Sequence, residues 1–291
     1  MSDKKNWNIL ELLKVTENLF KEKNIDNARL NAEMMLADTL NMKRIDLYLD
    51  FEKPLDEHEL TQFRDKVRRR LNREPLQYIL GYSEFYGLKF KVNQTVLIPR
   101  PETELIVEKC IELIGSSELP DVRIMEIGTG SGCISISIAK NSDCKINAID
   151  IDEETLSAGK ENSAVHGTED KINFMKMNFI ADLKDFKGYN IVISNPPYIP
   201  IDEYNSLPEE IRNFEPGQAL TDGKDGLVFY RKMIDLLKNT KNPVKILLEI
   251  GDGKKQIVKE LLDENGIKQY TFYKDLLNID RVLYVDYTPT A

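Results

Sequence analysis

Four consecutive residues could together hold a planar nitrogen group: Asn195, Pro196, Pro197 and Tyr198. We call them the Asn-Pro-Pro-Tyr loop. They follow residues 190–194, whose apolar centre has the pattern of a buried strand. Each proline fixes its own φ angle and removes a backbone donor, so the proline positions of the loop can only accept hydrogen bonds. The Asn195 side-chain oxygen and the Pro196 carbonyl could therefore accept from the NH2 of a carboxamide or aromatic amine.

The chemistry that suits this loop is methyl transfer to a weakly nucleophilic nitrogen. Such a nitrogen has a delocalised lone pair, and it attacks a methyl sulfonium poorly unless it is held in line. Hydrogen bonds from its NH2 to the two acceptors of the loop would orient the lone pair and stabilise the positive charge that develops on the nitrogen during transfer. Tyr198 could stack on the planar group or enclose it. The alternative for the tetrapeptide alone is a strand-ending turn, in which Asn-Pro is common.

A second loop is rich in glycine and follows the predicted strand 122–127. This glycine loop consists of Gly128, Thr129, Gly130, Ser131 and Gly132. Ligands bind at this end of the strands in open α/β folds. The loop lacks the Lys of a phosphate-binding P-loop, and the third glycine of a dinucleotide fingerprint would fall on Cys133. A tight turn without a ligand is the structural alternative.

Asp150 ends the next predicted strand, residues 145–150, about 20 residues after the glycine loop. A carboxylate at that position can accept hydrogen bonds from both hydroxyls of an adenosine ribose. The two loops and Asp150 therefore predict one cleft, which binds a ribose-containing ligand without a phosphate anchor.

The elements that must position these residues fall into two sections. Apolar residues recur at helical spacing in residues 9–20, 28–40 and 60–71, and an aromatic and polar alternation around Gly87 predicts a hairpin. Strand and helix patterns alternate beyond it, with further strands predicted at residues 171–176, 190–194, 244–250, 269–273 and 282–285. We predict a helical domain at 1–81, a hairpin linker at 82–97 and a catalytic α/β domain at 98–291. Its sheet should be mostly parallel, with helices on both faces.

Composition narrows the class of protein. The chain has 291 residues, 41% of them hydrophobic and 31% charged, which is typical of a globular protein with about two domains. A net charge of -9 argues against a surface that binds nucleic acid throughout. Three cysteines and two histidines lack metal-ligand spacing, so no metal site is predicted. Residues 1–7 lack the apolar core of a signal segment, and no apolar run has membrane-spanning length, so we expect a cytoplasmic protein.

The two loops, together with several further stretches of the sequence, resemble the HemK/PrmC family of peptide chain release factor glutamine N5-methyltransferases. These stretches are residues 73–81, 97–104, 214–216, 219–220, 225–227 and 248–251. The resemblance covers nearly the whole chain. It implies the class I methyltransferase fold, Rossmann-like with a mostly parallel seven-stranded sheet. It also implies S-adenosyl-L-methionine as cofactor and S-adenosyl-L-homocysteine as product.

The resemblance also implies roles for individual residues. The glycine loop would contact the methionine part of the cofactor, Asp150 its ribose, and Asn178 and Phe179 its adenine. Asn195 would contact the cofactor as well, and the whole Asn-Pro-Pro-Tyr loop would hold the substrate and form the catalytic site. The chain departs from the family pattern at Asn178, where an acid is common, but an Asn oxygen can still accept from the adenine amine.

The substrate that the resemblance implies is the glutamine in the Gly-Gly-Gln motif of class 1 peptide chain release factors, which act in translation termination. The helical domain would contact the factor, and a monomer is the default expectation. Three alternatives stay open: a ribosomal protein glutamine methyltransferase, a DNA adenine or cytosine amino-methyltransferase, and a catalytically silent cofactor-binding protein. The basic run from Arg64 to Arg73 is predicted to be a solvated helix face, with docking to the factor or to RNA as the alternative.

Overall fold

The computed structural model describes residues 6–116 and 121–289. The chain divides into two compact units. The first comprises Met1–Gly81 with Glu209–Phe214, and the second comprises Tyr82–Pro208 with Glu215–Ala291. The prediction that residues 1–7 are not a signal segment partly concerns residues 1–5, which lie outside the described residues. Neither the helical pattern nor the motifs of the sequence predict that a short segment near residue 210 belongs to the first unit.

The first unit is built from helices whose apolar faces pack together. Its helices before the hairpin are α1 (Ile9–Glu22), α2 (Ala28–Thr39), α3 (Asp46–Leu49), α4 (Glu57–Leu71) and α5 (Leu76–Leu80). Phe20, Met35 and Phe63 are among the fully buried side chains of its core, and burial of each stabilises the fold by about 1.5–3 kcal/mol. Helix α4 begins at Glu57, where Pro54 followed by Asp56 predicts a helix start, because Asp56 and Glu59 form a capping box.

The basic run on α4 differs from the predicted solvated face at Arg70, whose side chain is only 5% exposed. Its guanidinium donates to both carboxylate oxygens of Glu210, at 2.8 and 3.0 Å, and to the side-chain oxygen of Asn31 at 2.7 Å. Glu210 lies in the short helical segment Glu209–Phe214. Arg70 therefore joins a distant segment of the chain to the helical unit. Arg68, in contrast, is exposed and pairs with Asp65 within α4.

The second unit begins with a hairpin and contains a seven-stranded sheet. Its strands are β1 (Tyr82–Phe85), β2 (Leu88–Lys91), β3 (Arg123–Ile127), β4 (Lys145–Asp150), β5 (Ile172–Lys176), β6 (Ile191–Ser194), β7 (Val244–Glu249), β8 (Tyr270–Lys274) and β9 (Asp280–Tyr287). The order across the sheet is β5-β4-β3-β6-β7-β9-β8, with β9 antiparallel to both of its neighbours and the other pairs parallel. The predicted mostly parallel sheet is confirmed. Strand β9 is longer than predicted because it pairs on both sides.

Helices cover both faces of this sheet. They are α6 (Glu104–Gly115), α7 (Cys133–Asn141), α8 (Glu153–His166), α11 (Val228–Asn239) and α12 (Lys255–Glu264). The short helix α9 (Ile201–Tyr204) has no buried residue, and α10 is the segment Glu209–Phe214 of the first unit. Alternate residues of β3 point to opposite faces, as strand geometry requires. Met125 belongs to one buried cluster and Ile124 to the other. Each face of the sheet therefore packs against its own cluster of buried apolar residues.

Strand order brings the predicted motifs together. Strand β3 lies between β4 and β6, and Ile127 of β3 is level with Ile149 on one side and Ser194 on the other. The glycine loop, Asp150 and Asn195 therefore leave the sheet at the same edge, where open α/β sheets bind ligands. In the parts of the chain that the structure describes, no helix is long and apolar enough to cross a membrane.

Candidate active site

A cavity of about 310 Å³ lies in the second unit, at the carboxyl ends of β3, β4 and β6. Most of the predicted site residues line it: Gly128, Thr129, Gly130, Ser131, Asp150, Asn178, Phe179, Asn195, Pro196 and Pro197. Gly132 and Tyr198 are not among the lining residues. Among the described residues, no cluster of His, Cys, Asp or Glu side chains is arranged to hold a metal ion.

The glycine loop has a backbone that favours glycine and leaves space for a ligand. Gly128 and Gly130 have φ values of +72° and +56°, in the left-handed region that side chains disfavour. A Cβ built on either meets no described heavy atom within 4 Å, although both residues line the cavity. Gly132 differs, because its Cβ would lie 3.0 Å from Cδ1 of Ile136. It therefore serves the packing of α7 rather than the approach of a ligand.

Below this loop, Glu126 of β3 is fully buried and accepts hydrogen bonds from the hydroxyls of Thr129, at 2.8 Å, and Ser135. Burial raises the pKa of Glu126 to about 7, although the two hydroxyls oppose the shift. The carboxylate thus ties the glycine loop to the first turn of α7.

Asp150 is fixed at the end of β4 by backbone donors. One of its oxygens accepts from the Gly130 nitrogen at 3.1 Å, and the other accepts from the Asp152 nitrogen at 3.2 Å. A carboxylate oxygen can accept more than one hydrogen bond, so both retain capacity for further donors such as hydroxyls. Burial raises the pKa of Asp150 above its ordinary value. The position is suitable for a ribose.

The predicted adenine side holds an aromatic pair. Phe179 stacks on Phe229 with ring centroids 5.3 Å apart and an interplanar angle of 24°, and both rings line the cavity. Asn178 uses its side-chain oxygen differently from the expectation, since that atom accepts from the backbone nitrogens of Ile180 and Ala181 at 2.9 and 3.1 Å. Those two bonds occupy both lone pairs of the carbonyl oxygen. In this arrangement it has no lone pair left for an adenine amine.

The Asn-Pro-Pro-Tyr loop is anchored from behind by two buried residues. The Asn195 side-chain nitrogen donates to Thr103 Oγ1 at 3.1 Å, and that hydroxyl donates to Glu249 Oε2 at 2.6 Å. The Tyr198 hydroxyl donates to the other carboxylate oxygen, Oε1, at 3.1 Å. Burial raises the pKa of Glu249 to about 7 and that of Tyr198 well above its ordinary value. Tyr198 thus points into the protein, where its ring packs beside Gly251.

Thr103 and Glu249 are not among the predicted site residues. The sequence does show an acid directly after the apolar residues 246–248 of β7, and a buried acid at that position needs hydrogen-bond partners. Arg100 is also unpredicted. It lines the cavity and donates to Glu215 at 2.5 Å, which joins the segment before α6 to the segment that contains Pro216.

Known proteins similar to this chain agree with the fold. Residues 11–81 match the PrmC N-terminal domain, and residues 106–210 match the family of ribosomal protein L11 methyltransferase (PrmA). The release factor glutamine methyltransferase of Chlorobaculum tepidum is 40% identical over 240 residues, which cover 80% of this chain and 81% of that protein. The protein of the same name from Geobacter sulfurreducens is 35% identical over 279 residues, which cover 95% of this chain and 96% of that protein.

A solved structure shares the fold. The hMettl16 catalytic domain, crystallised with the MAT2A 3'UTR hairpin 6, matches with a TM-score of 0.56 at 19% identity, over 78% of this chain and 84% of that chain. The likeness at that identity concerns the fold alone. The resemblance that the sequence motifs indicate is confirmed by the two relatives, and the chain belongs to the release factor glutamine methyltransferase family.

Proposed function

We propose that this protein transfers the methyl group of S-adenosyl-L-methionine to the side-chain amide nitrogen, N5, of a glutamine. The glutamine is that of the Gly-Gly-Gln motif in class 1 peptide chain release factors, and the co-product is S-adenosyl-L-homocysteine. The observation that carries the proposal is the single cavity onto which the glycine loop, Asp150 and residues 195–197 open. Family membership supports the choice of substrate.

The cavity fits the cofactor in three respects. The absent Cβ atoms of Gly128 and Gly130 leave space beside the loop, and Asp150 retains acceptor capacity for ribose hydroxyls. The stacked rings of Phe179 and Phe229 offer a flat apolar surface for a purine. When bound, S-adenosyl-L-methionine supplies an electrophilic methyl group on a sulfonium.

On the substrate side, the protein orients the amide of the glutamine. The Asn195 nitrogen is already bound to Thr103, so the Asn195 oxygen is the atom that can accept from the substrate NH2. The Pro196 carbonyl is the second acceptor, and the two prolines keep this loop stiff. Such positioning can lower the activation free energy by up to roughly 7–11 kcal/mol.

Proton transfer follows methyl transfer. The amide nitrogen becomes cationic when the methyl group arrives, and its acidity then lets the surplus proton leave to solvent. Asn195 and Pro196 accept hydrogen bonds from this nitrogen throughout, and the bonds strengthen as positive charge develops. A strong general base is therefore not required among the residues of the loop.

We assign docking of the release factor to residues 1–81, the linker to residues 82–97 and catalysis to residues 98–291. The match of residues 11–81 to the PrmC N-terminal domain supports the first assignment. A cytoplasmic monomer is part of the same proposal. We also propose that Asn178 lies beside the adenine; its position on the cavity wall supports this, whereas its side-chain oxygen is bound within its own turn.

A ribosomal protein is the second candidate substrate, because residues 106–210 match the ribosomal protein L11 methyltransferase family. A nucleobase amine would suit the same loop. It is disfavoured, since the net charge of -9 opposes binding of a polyanion.

The test offers methyl-labelled S-adenosyl-L-methionine to the enzyme with each of four substrates in turn. These are a class 1 release factor, its variant with Ala in place of the Gly-Gly-Gln glutamine, a ribosomal protein mixture, and duplex DNA. We expect label in the unmodified release factor and none in the variant. Label confined to ribosomal proteins or to DNA would contradict the proposed substrate.

A further inference from the structure

We infer that Glu249 and Thr103 are positioning residues that fix which end of the Asn195 carboxamide faces the substrate. A hydrogen-bond chain runs from Asn195 through Thr103 to Glu249 and has one preferred direction. The inference rests on the proposed function, because it concerns how Asn195 receives a substrate NH2.

The direction starts at Glu249. Its side chain is almost fully buried, and an ionised carboxylate has no hydrogen to donate. The hydroxyls of Thr103 and Tyr198, at 2.6 and 3.1 Å, must therefore both act as donors to it. Two donors on two separate oxygens satisfy the buried charge that would otherwise be costly.

The hydrogen bond from Thr103 to Glu249 also fixes the hydrogen bond between Thr103 and Asn195. Its hydroxyl has a single proton, which Glu249 takes, so the same oxygen can only accept from Asn195. Thr103 is also buried, at 3% exposure, so little solvent can replace either bond. The Asn195 nitrogen lies 3.1 Å away and fills the acceptor position. A reversed carboxamide would place the Asn195 oxygen against an oxygen with no proton to offer.

Catalysis depends on which atom of the Asn195 carboxamide faces the substrate. With its nitrogen held by Thr103, Asn195 keeps its oxygen for the substrate amide. A reversed Asn195 would instead point its NH2 at the substrate NH2, and two donors cannot bind one another. The substrate nitrogen would then lose an acceptor that is needed most when it becomes cationic.

The ionisation of Glu249 provides an independent readout. Burial raises its pKa to about 7, and the Thr103 and Tyr198 hydroxyls and Arg281 oppose this shift, while Glu102 adds to it. Tyr230, on α11, donates to the Glu249 backbone oxygen. A protonated Glu249 can donate to Thr103, which frees the Thr103 proton for Asn195 and removes the preferred direction. We therefore expect turnover to rise with pH through about 7.

The experiment compares three variants, Glu249→Gln, Thr103→Val and Thr103→Ser, on the release factor. Gln accepts at only one of its two side-chain ends, and Val lacks the hydroxyl, so both changes should lower kcat by about 10- to 100-fold. Calorimetry should show that cofactor affinity changes by less than about threefold, since Glu249 does not line the cavity and the Thr103 hydroxyl is bound to Glu249 and Asn195. Ser keeps the hydroxyl and should retain most of the turnover.

Thr240→Val is the matched control. Thr240 is also a buried threonine, but its hydroxyl donates to the backbone carbonyl of Leu236 rather than to a carboxylate. It should keep parental kcat. The Glu249→Gln enzyme should also lose the rise in turnover near pH 7. If Glu249→Gln fails to fold, the Thr103→Val and Thr103→Ser pair decides the question.

The outcomes separate the inference from the function on which it rests. Parental turnover and an unchanged pH profile in Glu249→Gln, or parental turnover in Thr103→Val, would overturn the inference alone. A parent enzyme that labels no release factor would overturn both.

Discussion

Asp150 accepts a hydrogen bond from the backbone nitrogen of Gly130 at 3.1 Å, so the last residue of β4 holds the centre of the loop that follows β3. This contact joins the two features that the sequence associates with one cofactor. The proposed ribose acceptor and the glycine loop are therefore held together by a direct hydrogen bond.

Replacement of Asp150 by alanine should chiefly weaken cofactor binding. Hydrogen bonds to a charged group contribute about 1.5–3 kcal/mol, which corresponds to about a 10- to 100-fold rise in Kd. Titration calorimetry with S-adenosyl-L-methionine measures this change. Asp143→Ala is the control, since the Asp143 side chain is fully exposed. Unchanged affinity in Asp150→Ala would remove Asp150 from the ribose role.

Replacement of Asn195 by alanine should lower turnover by a factor on the order of 10²–10³, by analogy with the loss of one preorganised hydrogen-bonding group. Cofactor affinity should change much less, because the proposed role of Asn195 is mainly to bind the substrate amide. Single-turnover kinetics on the release factor separate these effects. Asn239→Ala, on the exposed side of α11, should behave as the parent enzyme. Equal turnover in Asn195→Ala and the parent would be incompatible with the mechanism.

Replacement of Gly226 by alanine should displace the Asn-Pro-Pro-Tyr loop. A Cβ on Gly226 would lie 2.3 Å from the Tyr198 carbonyl oxygen, whereas a Cβ on Gly223 meets nothing described within 4 Å. Both glycines have similar φ values, +77° and +73°, so Ala adds a similar backbone strain at each. Turnover should fall at least about tenfold in Gly226→Ala only.

The measurement is kcat for both alanine variants, each checked by circular dichroism for the native fold. The Gly223→Ala enzyme should lose some thermal stability and keep its turnover. Parental turnover in both variants would show that displacement of Tyr198 does not disturb the Asn-Pro-Pro-Tyr loop.

Replacement of Arg70 by methionine should destabilise the helical unit by about 2–3 kcal/mol, because Asn31 and Glu210 lose a charged hydrogen-bond partner. Trp7 is the only tryptophan of the chain and lies in this unit, so its fluorescence reports urea unfolding there. Arg68→Met, at an exposed position of the same helix, should change the free energy of unfolding by less than about 0.5 kcal/mol. Equal effects of the two changes would argue against a structural role for Arg70.

Stability should also depend on the ionisation of Glu126. Its folded-state pKa of about 7 lies above the ordinary value of 4.5, so the folded protein binds more protons than the unfolded chain between these pH values. This group's contribution to the free energy of unfolding therefore decreases as pH rises from about 4.5 to 7. Thermal unfolding of Glu126→Gln should show a weaker pH dependence in that window than the parent. Glu169→Gln, at an exposed position, should retain the parental dependence.

Several features of this protein could be predicted from its sequence because they depend on short stretches of chain. The three glycines of the glycine loop have positive φ values, the two prolines stiffen residues 195–198, and apolar runs mark the strands of the sheet. The position of Asp150 at the end of β4 follows from the same local patterns. These signals were sufficient for the fold class and for the family.

Other features depend on contacts between residues that are far apart in the chain, and only the tertiary structure decides them. Thr103 is 146 residues from Glu249 and 92 from Asn195, and Arg70 is 140 from Glu210. The orientation of Tyr198 toward Glu249, and the use of the Asn178 oxygen within a turn, are equally invisible in a linear motif. A motif specifies which polar groups are present, whereas the packing around them decides which atoms are already bound and which are left for a substrate.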